Sequence, residues 1–243
     1  MRYLVKISYD GTNFQGYQRQ PGKRCVESYI MEAVKSINNG VDTKVTSASR
    51  TDRGVHAKSQ YASFELSVSI TEYKLKCAIN SLIPSDIHVI EAKEVDDEFH
   101  PRYMAKEKTY LYIINEGEYD PLRRNYELQY GKKLDVDNMK KAIKLFEGVH
   151  DFESFTSNEA VKDSYVREIY RTSIEEKDNK LYIRFTGNGF MKYQVRNMVG
   201  TLLRIGNGKY EVDIIDKIFK DKENQKYVYT AKSEGLYLED IQY

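Results

Sequence analysis

The chain has 243 residues, of which 40% are hydrophobic and 31% charged, a composition typical of a soluble globular protein and unlike that of a disordered chain. Its formal net charge is +1, from 38 basic and 37 acidic residues, so net charge alone indicates no nucleic-acid partner. No apolar run approaches the roughly 18 residues that cross a bilayer, and the N-terminus has no signal-peptide core, so we expect a cytoplasmic protein with no membrane contact. Two cysteines, Cys25 and Cys77, lie far apart in helix-like segments and predict buried thiols rather than a disulfide.

The first half of the sequence alternates strand and helix patterns. Apolar alternation predicts a strand at residues 3–9, and apolar residues at helical spacing predict a helix at 26–37. A polar turn between two strand-like runs follows at 49–57. Thr71 is a predicted N-cap for the next helix, and a strand is predicted at 86–95.

The second half repeats this order of elements. Asp135 is a predicted N-cap for a helix that ends before Gly148. The other predicted elements are a strand at 110–114, a hairpin at 165–175 and 181–186, helices at 191–205 and 212–219, and a strand at 235–243. The sequence therefore predicts an α+β fold of two related lobes, 1–103 and 104–243. In the absence of a low-complexity linker, we expect the lobes to share a central, mainly antiparallel sheet flanked by helices.

The polar turn at 49–57 presents one carboxylate, Asp52, between two arginines, Arg50 and Arg53. Neighbouring positive charge favours the ionised carboxylate, which on a rigid turn can act as a nucleophile or a base. The residues alone also fit a simpler interpretation, in which Asp52 makes a local turn hydrogen bond, Arg50 lies on the surface and His56 is a core histidine.

Arg196 is a second candidate, since it falls at the edge of the apolar stripe of the predicted 191–205 helix. An arginine that enters the edge of a core requires a carboxylate partner, although it can also extend along the surface into solvent. Tyr110, Phe190 and Leu236 are apolar or aromatic positions that, considered alone, fit core residues.

Several chemistries lack their sequence signature. The chain has no glycine-rich phosphate loop, no dinucleotide fingerprint and no Gly-x-Ser-x-Gly elbow. Its four histidines and two cysteines show no metal-ligand spacing. A single acid with flanking arginines and 21 tyrosines predicts chemistry that uses no cofactor and no metal.

Taken together and in order, these motifs resemble the tRNA pseudouridine synthase I (TruA) family. The stretch 49–57 is similar to the family's active-site sequence Gly-Arg-Thr-Asp-Ala-Gly-Val-His-Ala, with Ser49 in place of glycine and Arg53 in place of alanine. Tyr17 stands where tryptophan is usual. Further stretches that match family landmarks are 9–20, 99–102, 108–112, 148–155, Arg167, 190–200 and 234–238.

The resemblance implies a homodimer of two-lobed α+β subunits with a positively charged cleft between the lobes. The implied substrate is a uridine in RNA, in the family the anticodon arm of tRNA at positions 38 to 40, and the product is its C-glycoside isomer, pseudouridine. The reaction is redox-neutral and requires no cofactor. Asp52 either attacks C1′, attacks C6 or removes the C2′ proton, and the sequence leaves these routes open.

The resemblance also implies roles for individual residues. Asp52, Tyr110 and Arg196 are the expected catalytic residues, with Arg196 as the ion-pair partner of Asp52 and Tyr110 stacking on the detached uracil. The expected substrate-binding residues are Arg50, Arg53, His56, Phe14, Gln18, Arg19, Arg24, Phe190 and Leu236. Ser49 and Arg53 leave open a related enzyme that modifies another RNA, such as ribosomal RNA. A non-catalytic RNA-binding or folding protein is the other alternative.

Overall fold

The computed structural model of the protein describes residues 1–157 and 164–243, apart from the side chains of 222–224. The chain divides into two units, Met1–Lys106 with Leu238–Tyr243, and Glu107–Tyr237. Each unit combines antiparallel strands with helices, which confirms the predicted α+β class. In the part of the chain that the structure describes, every helix is too short or too polar to cross a membrane.

The first unit is built on an antiparallel sheet with two helices. Its elements are β1 (Arg2–Tyr9), α1 (Val26–Ile37), β2 (Thr46–Ser47), β3 (His56–Glu65), α2 (Glu72–Leu82) and β4 (Ile87–Val95). Strand β1 lies between β3 and β4 and pairs with both, and β2 adds a short pairing to β3. The sheet thereby fixes both ends of the 49–57 turn, since β2 precedes it and β3 begins inside it.

The helices of the first unit follow local signals in the sequence. Helix α1 buries Val26, Ile30 and Val34 along one face, as their spacing predicts. It ends where Asn39 and Gly40 adopt the left-handed conformation, at φ 54° and 83°. Thr71 caps α2 by accepting a hydrogen bond from the Lys74 amide at 3.4 Å, so its predicted role as an N-cap is confirmed.

The second unit is built on a sheet that is antiparallel except for one short strand pairing, and its described residues include three α-helices. Its elements are β5 (Glu107–Asn115), β6 (Leu128–Gln129), α3 (Val136–Ile143), β7 (Gly148–Asp151), β8 (Val166–Lys177), β9 (Lys180–Gly187), α4 (Gln194–Gly206) and α5 (Ile214–Lys220). Strand β9 pairs with β5 on one side and β8 on the other, β8 pairs with β7, and β6 makes the short parallel pairing with β5. Asp135 caps α3 through the Asn138 amide at 3.0 Å, as predicted. The last strand of the chain is β10 (Leu236–Gln242).

Two expectations from the sequence were wrong. The helix predicted at 191–205 begins only at Gln194, because Tyr193 before it adopts a left-handed backbone with φ 64° and ψ −6°. Cys77 is exposed on α2 rather than buried, whereas Cys25 is buried at the N-cap of α1. Short strand β7 was not predicted, since Gly148 was interpreted only as the residue that ends α3.

Candidate active site

The turn that carries Asp52 lies in the first unit, between β2 and β3. The Val55 amide donates to the Asp52 carbonyl at 3.2 Å, which closes the turn around the partly buried Asp52. Ahead of the turn, Gln60 clamps the backbone of Ser49: its Oε1 accepts from the Ser49 amide at 3.2 Å, and its Nε2 donates to the Ser49 carbonyl at 2.8 Å. The clamp uses only main-chain atoms of Ser49, so the departure from glycine at this position leaves it intact.

The loop after β1 supports this turn from a second direction. The Tyr17 amide donates to the Thr51 carbonyl at 3.1 Å, and the Gly54 amide donates to the Phe14 carbonyl at 3.2 Å. The hydroxyl groups of Tyr9 and Thr51 lie 2.7 Å apart and form a buried hydrogen bond. Residues on both sides of Asp52 are therefore fixed by partners outside the turn, and the carboxylate is displayed from a rigid backbone.

The loop and the turn approach each other too closely for a side chain at Gly11. A Cβ atom there would lie 1.9 Å from the Val55 carbonyl oxygen, a distance that no real contact reaches. The Gly11 amide also donates to His56 Nδ1 at 3.0 Å. His56 is only 2% exposed, so it connects the start of β3 to the loop from inside the unit.

The predicted RNA-contacting residues divide into exposed and buried groups. The exposed ones are Gln18, Arg19, Arg50 and Arg53. Phe14 is only 1% exposed and, like His56, has no open surface for a base to stack on. Arg24 lies 4.2 Å above the Phe14 ring and makes two bonds to the Asp86 carboxylate, at 2.9 and 3.1 Å. The three buried or anchored residues hold the loop in place, while the exposed ones remain available to a ligand.

Arg102 belongs beside this set, although it was not among the predicted site residues. Burial lowers the pKa of its guanidinium, and the positive charge of Arg50 lowers that pKa further. Such an effect requires Arg50 and Arg102 to lie near each other in the unit that carries Asp52. Two neighbouring cations attract phosphate. The only signal in the sequence was the Phe-His-Pro-Arg stretch at 99–102 that matches the family pattern.

The remaining predicted residues lie in the second unit. Tyr110 projects from β5 and is 5% exposed, and its ring makes an edge-on contact with Phe190 at a centroid distance of 5.1 Å. Phe190 is partly exposed, and Leu236, at the start of β10, is buried. Tyr110 and Phe190 are therefore packed against each other, with the Tyr110 ring buried and the Phe190 ring partly open to solvent.

Arg196 lies in the first turn of α4 and is partly buried. Its Nε donates to the Ala231 carbonyl at 2.8 Å, and the Ala231 amide donates back to the Arg196 carbonyl at 3.0 Å. The guanidinium carbon lies 5.2 Å from the centroid of the Tyr193 ring. The arginine is therefore held by its neighbours in the second unit rather than extending freely into solvent.

Metal ligands do not cluster in the part of the chain that the structure describes: within residues 1–157 and 164–243, no three His, Cys, Asp or Glu side chains converge on a common point.

Comparison with known proteins gives one consistent family. The family described as tRNA pseudouridine synthase matches residues 6–104 and 142–243. A protein named tRNA pseudouridine synthase A from Streptococcus mutans is 42% identical over 246 residues, covering 100% of this chain and 99% of that protein. Its namesake from Streptococcus uberis is 43% identical over 245 residues, covering 100% of this chain and 98% of that protein.

A solved structure, described as a Cbf5-Nop10-Gar1 complex, aligns with 95% of this chain and 70% of that chain. Its TM-score of 0.34 and identity of 13% are too low for a comparison of the two folds.

Proposed function

Since this chain belongs to the tRNA pseudouridine synthase family, an enzyme family that isomerises uridine to pseudouridine, we propose that it acts on the anticodon arm of tRNA with Asp52 as its catalytic carboxylate. The observation that carries the proposal is the 49–57 turn, which resembles the family's active-site sequence at every position except Ser49 and Arg53 and is held on both sides by hydrogen bonds from outside the turn. Full-length identity above 40% to proteins named for tRNA supports the choice of RNA.

The reaction rearranges bonds within one nucleotide and requires chiefly one positioned carboxylate. The bond between C1′ and N1 breaks, the uracil turns, and a bond forms between C1′ and C5. The proton on C5 leaves, N1 gains a proton, and no electrons are exchanged with an external partner. A uridine stacked in an RNA helix is out of reach, so it must first be flipped out at a cost of a few kcal/mol.

Asp52 acts in its ionised form in this proposal. Each of the three routes, attack at C1′, attack at C6 and removal of the C2′ proton, begins with an ionised carboxylate. We assign Arg196 as the ion-pair partner that keeps the pKa of Asp52 low in the working enzyme. The catalytic groups are then drawn from both halves of the sequence, Asp52 from the first and Arg196 with Tyr110 from the second.

The second unit supplies the surroundings of the base. Tyr110 stacks on the detached uracil and assists removal of the C5 proton, while Phe190 and Leu236 prevent the base from leaving. The edge-on contact between Tyr110 and Phe190 supports this assignment, because it fixes the two rings next to each other.

The RNA backbone is bound by the exposed cations of the first unit. Arg50 and Arg53 flank the catalytic acid, and Gln18 and Arg19 extend from the loop that supports the turn. Arg19 lines an open depression together with the exposed Lys23 and Lys35, next to the anchored Arg24, and phosphate binding by the exposed cations makes affinity fall with salt. In keeping with the family resemblance, we also propose that the protein is a cytoplasmic homodimer.

The Asp52→Asn variant tests the assignment of the catalytic carboxylate. The measurement is release of tritium from tRNA labelled at uridine C5, with RNA binding followed separately. We expect turnover to fall by about a thousandfold or more while binding is retained, because asparagine preserves the shape but neither attacks nor accepts a proton. Asp178→Asn, at an exposed carboxylate in the turn between β8 and β9 whose left-handed backbone asparagine also tolerates, is the matched control and retains activity. Pseudouridine made at a normal rate by Asp52→Asn would overturn the assignment.

The substrate is tested in cells. Deletion of the gene, followed by carbodiimide mapping of pseudouridine in tRNA and ribosomal RNA, should remove signals at anticodon-arm positions 38 to 40 alone. Loss at a ribosomal site instead would retain the chemistry and overturn the proposed substrate. Loss at no site would favour a non-catalytic RNA-binding role.

A further inference from the structure

Tyr193, immediately before helix α4, has a backbone conformation that aromatic residues rarely adopt. Its φ of 64° and ψ of −6° lie in the left-handed region. For a bulky residue other than glycine, such a conformation is strained and persists only where the surroundings enforce it. Asparagine or glycine would fit this position with less strain, so the presence of a tyrosine requires an explanation in terms of its ring.

The surroundings of Tyr193 do enforce the conformation. On its N-terminal side, the Thr156 hydroxyl donates to the Lys192 carbonyl at 2.8 Å. On its C-terminal side, the Asn197 amide donates to the Tyr193 carbonyl at 2.9 Å, as the first turn of α4 forms. The chain is therefore held on both sides of the left-handed residue, and its direction into the helix is fixed.

The ring of Tyr193 lies against two cations: the exposed Lys192, whose Nζ is 5.2 Å from the ring centroid, and Arg196. Arg196, three residues later, lies over it with the guanidinium carbon 5.2 Å from the ring centroid, within the range of a cation–π contact. The Nε of Arg196 is already bound to the Ala231 carbonyl at 2.8 Å. With the ring on one face and Ala231 at Nε, the guanidinium has its plane and its rotation restricted, and its two terminal nitrogens present the remaining N–H groups in a set direction.

We propose that Tyr193 is a positioning residue for Arg196: its left-handed backbone brings the aromatic ring beneath the guanidinium and fixes the direction in which the terminal nitrogens donate. The inference rests on the proposed function, in which Arg196 pairs with Asp52. A preorganised donor requires no reorganisation during the reaction, so the contribution of Tyr193 falls on turnover rather than on RNA binding.

Three variants of Tyr193 distinguish the contribution of the aromatic ring from that of the left-handed backbone conformation. Tyr193→Phe keeps the ring and loses only the hydroxyl. Tyr193→Asn removes the ring and tolerates the left-handed conformation, and Tyr193→Gly removes the ring and relieves the strain. We expect kcat for C5 tritium release to fall about tenfold in the Asn and Gly variants, with KM changed less than about twofold, and Tyr193→Phe to match the unaltered enzyme.

The pH profile of kcat/KM provides a measurement that would not change if Tyr193 had a purely structural role. When Arg196 is less well placed, the pKa of Asp52 rises, so Asp52 becomes protonated at a higher pH on the acid side. The acid limb of kcat/KM should therefore move to higher pH by about half a unit to one unit in Tyr193→Asn and Tyr193→Gly, and stay in place in Tyr193→Phe. Thermal unfolding of each variant shows whether it is folded, and if Tyr193→Asn is not, Tyr193→Gly carries the test.

Arg196→Met separates failure of this inference from failure of the proposed function. Near-normal turnover in Arg196→Met would overturn the role of Arg196 and the inference with it. Loss of turnover in Arg196→Met, combined with normal kcat and an unmoved acid limb in folded Tyr193→Asn or Tyr193→Gly, would overturn the role of Tyr193 alone. Equal losses in the Phe and Asn variants would also overturn it, because the ring would then not be the active feature.

Discussion

The turn that carries Asp52 and the helix start that carries Arg196 are held in place by different means. Around Asp52 many of the bonds join backbone atoms, as from Tyr17 to Thr51 and from Gly54 to Phe14, and the Gln60 side chain binds only main-chain atoms of Ser49. Around Arg196, in addition to the Ala231 backbone, two side chains contribute: the Tyr193 ring beside the guanidinium, and Asn197, which fixes the start of the helix. A backbone-held site tolerates changes of side chain but not of backbone space, whereas a side-chain-held site depends on which residues are present.

This difference accounts for two of the three departures from the family pattern, those at Ser49 and Arg53. Ser49 and Arg53 both lie in the backbone-held turn. The Ser49 backbone is clamped by Gln60 irrespective of its side chain, and the Arg53 side chain is exposed. Substitutions that add atoms, remove bonds or remove charges in each region test whether the two regions are held differently.

The largest effect is expected where a close approach of two backbones is obstructed. An added Cβ would lie 1.9 Å from the Val55 carbonyl oxygen at Gly11 and 1.6 Å from the Tyr229 carbonyl oxygen at Gly200. Because both obstacles are backbone atoms, Gly11→Ala and Gly200→Ala should each lower the free energy of unfolding by about 3 kcal/mol or more, measured by urea denaturation. Gly189→Ala is the control, since its nearest neighbour would be 4.0 Å away. Equal stability of Gly11→Ala and Gly189→Ala would contradict the close approach.

The next effect concerns the side chains that hold helix α4. Asn197 Nδ2 donates to the Phe155 carbonyl at 2.7 Å, and its Oδ1 accepts from the Thr230 hydroxyl at 2.6 Å. Asn197→Ala leaves both partners without these bonds in a site that is largely closed to water, so we expect a loss of about 2–3 kcal/mol in unfolding free energy. Asn207→Ala, at the exposed end of the same helix, should change it by less than about 0.5 kcal/mol. Similar losses in the two variants would show that α4 is not held by Asn197.

The sequence predicted the parts of the fold that depend on local signals. The spacing of Val26, Ile30 and Val34 located α1, and Thr71 and Asp135 were recognised as N-caps because capping requires only one side chain and the next turn of helix. The same reasoning placed the start of α4 too early. The left-handed Tyr193 is enforced by bonds to distant residues, and no periodicity in the sequence encodes it.

The local sequence signals likewise did not predict which residues of the candidate site are buried. Phe14 and His56 were predicted as RNA contacts because they lie in family motifs, but the structure buries both. A motif identifies residues that matter to a site without distinguishing those that touch the substrate from those that support the backbone behind it. The exposed residues Arg50 and Arg53 gave no sign of their exposure beyond their charge.

Removal of either of two tyrosine hydroxyl groups near the Asp52 turn, that of Tyr17 or that of Tyr9, should change stability by a smaller amount, and the two changes should have opposite signs. In the described part of the chain, the buried Tyr17 hydroxyl has no hydrogen-bond partner, and burial raises its pKa well above the ordinary value. Tyr17→Phe should therefore leave stability unchanged or raise it by about 1 kcal/mol, since an unpaired buried hydroxyl is costly. Tyr9→Phe removes the bond to Thr51 and should lower stability by about 1 kcal/mol. Calorimetry of both variants tests the pair, and a clear loss in Tyr17→Phe would reveal a partner that holds the turn.

The smallest effect on stability is expected at Arg53, although the residue lies directly beside Asp52. Its side chain is exposed, so Arg53→Ala should change the free energy of unfolding by less than about 0.5 kcal/mol. Its effect should appear in RNA binding, where loss of one phosphate contact reduces the slope of log affinity against log salt concentration by about one. Lys140→Ala removes an exposed cation on α3 that already pairs with Glu176 and serves as the reference for a change of charge alone. An unchanged salt slope in Arg53→Ala would mean that this departure from the family pattern adds a charge beside the acid without adding an RNA contact. A large loss of stability would instead show that the turn is not held by its backbone alone.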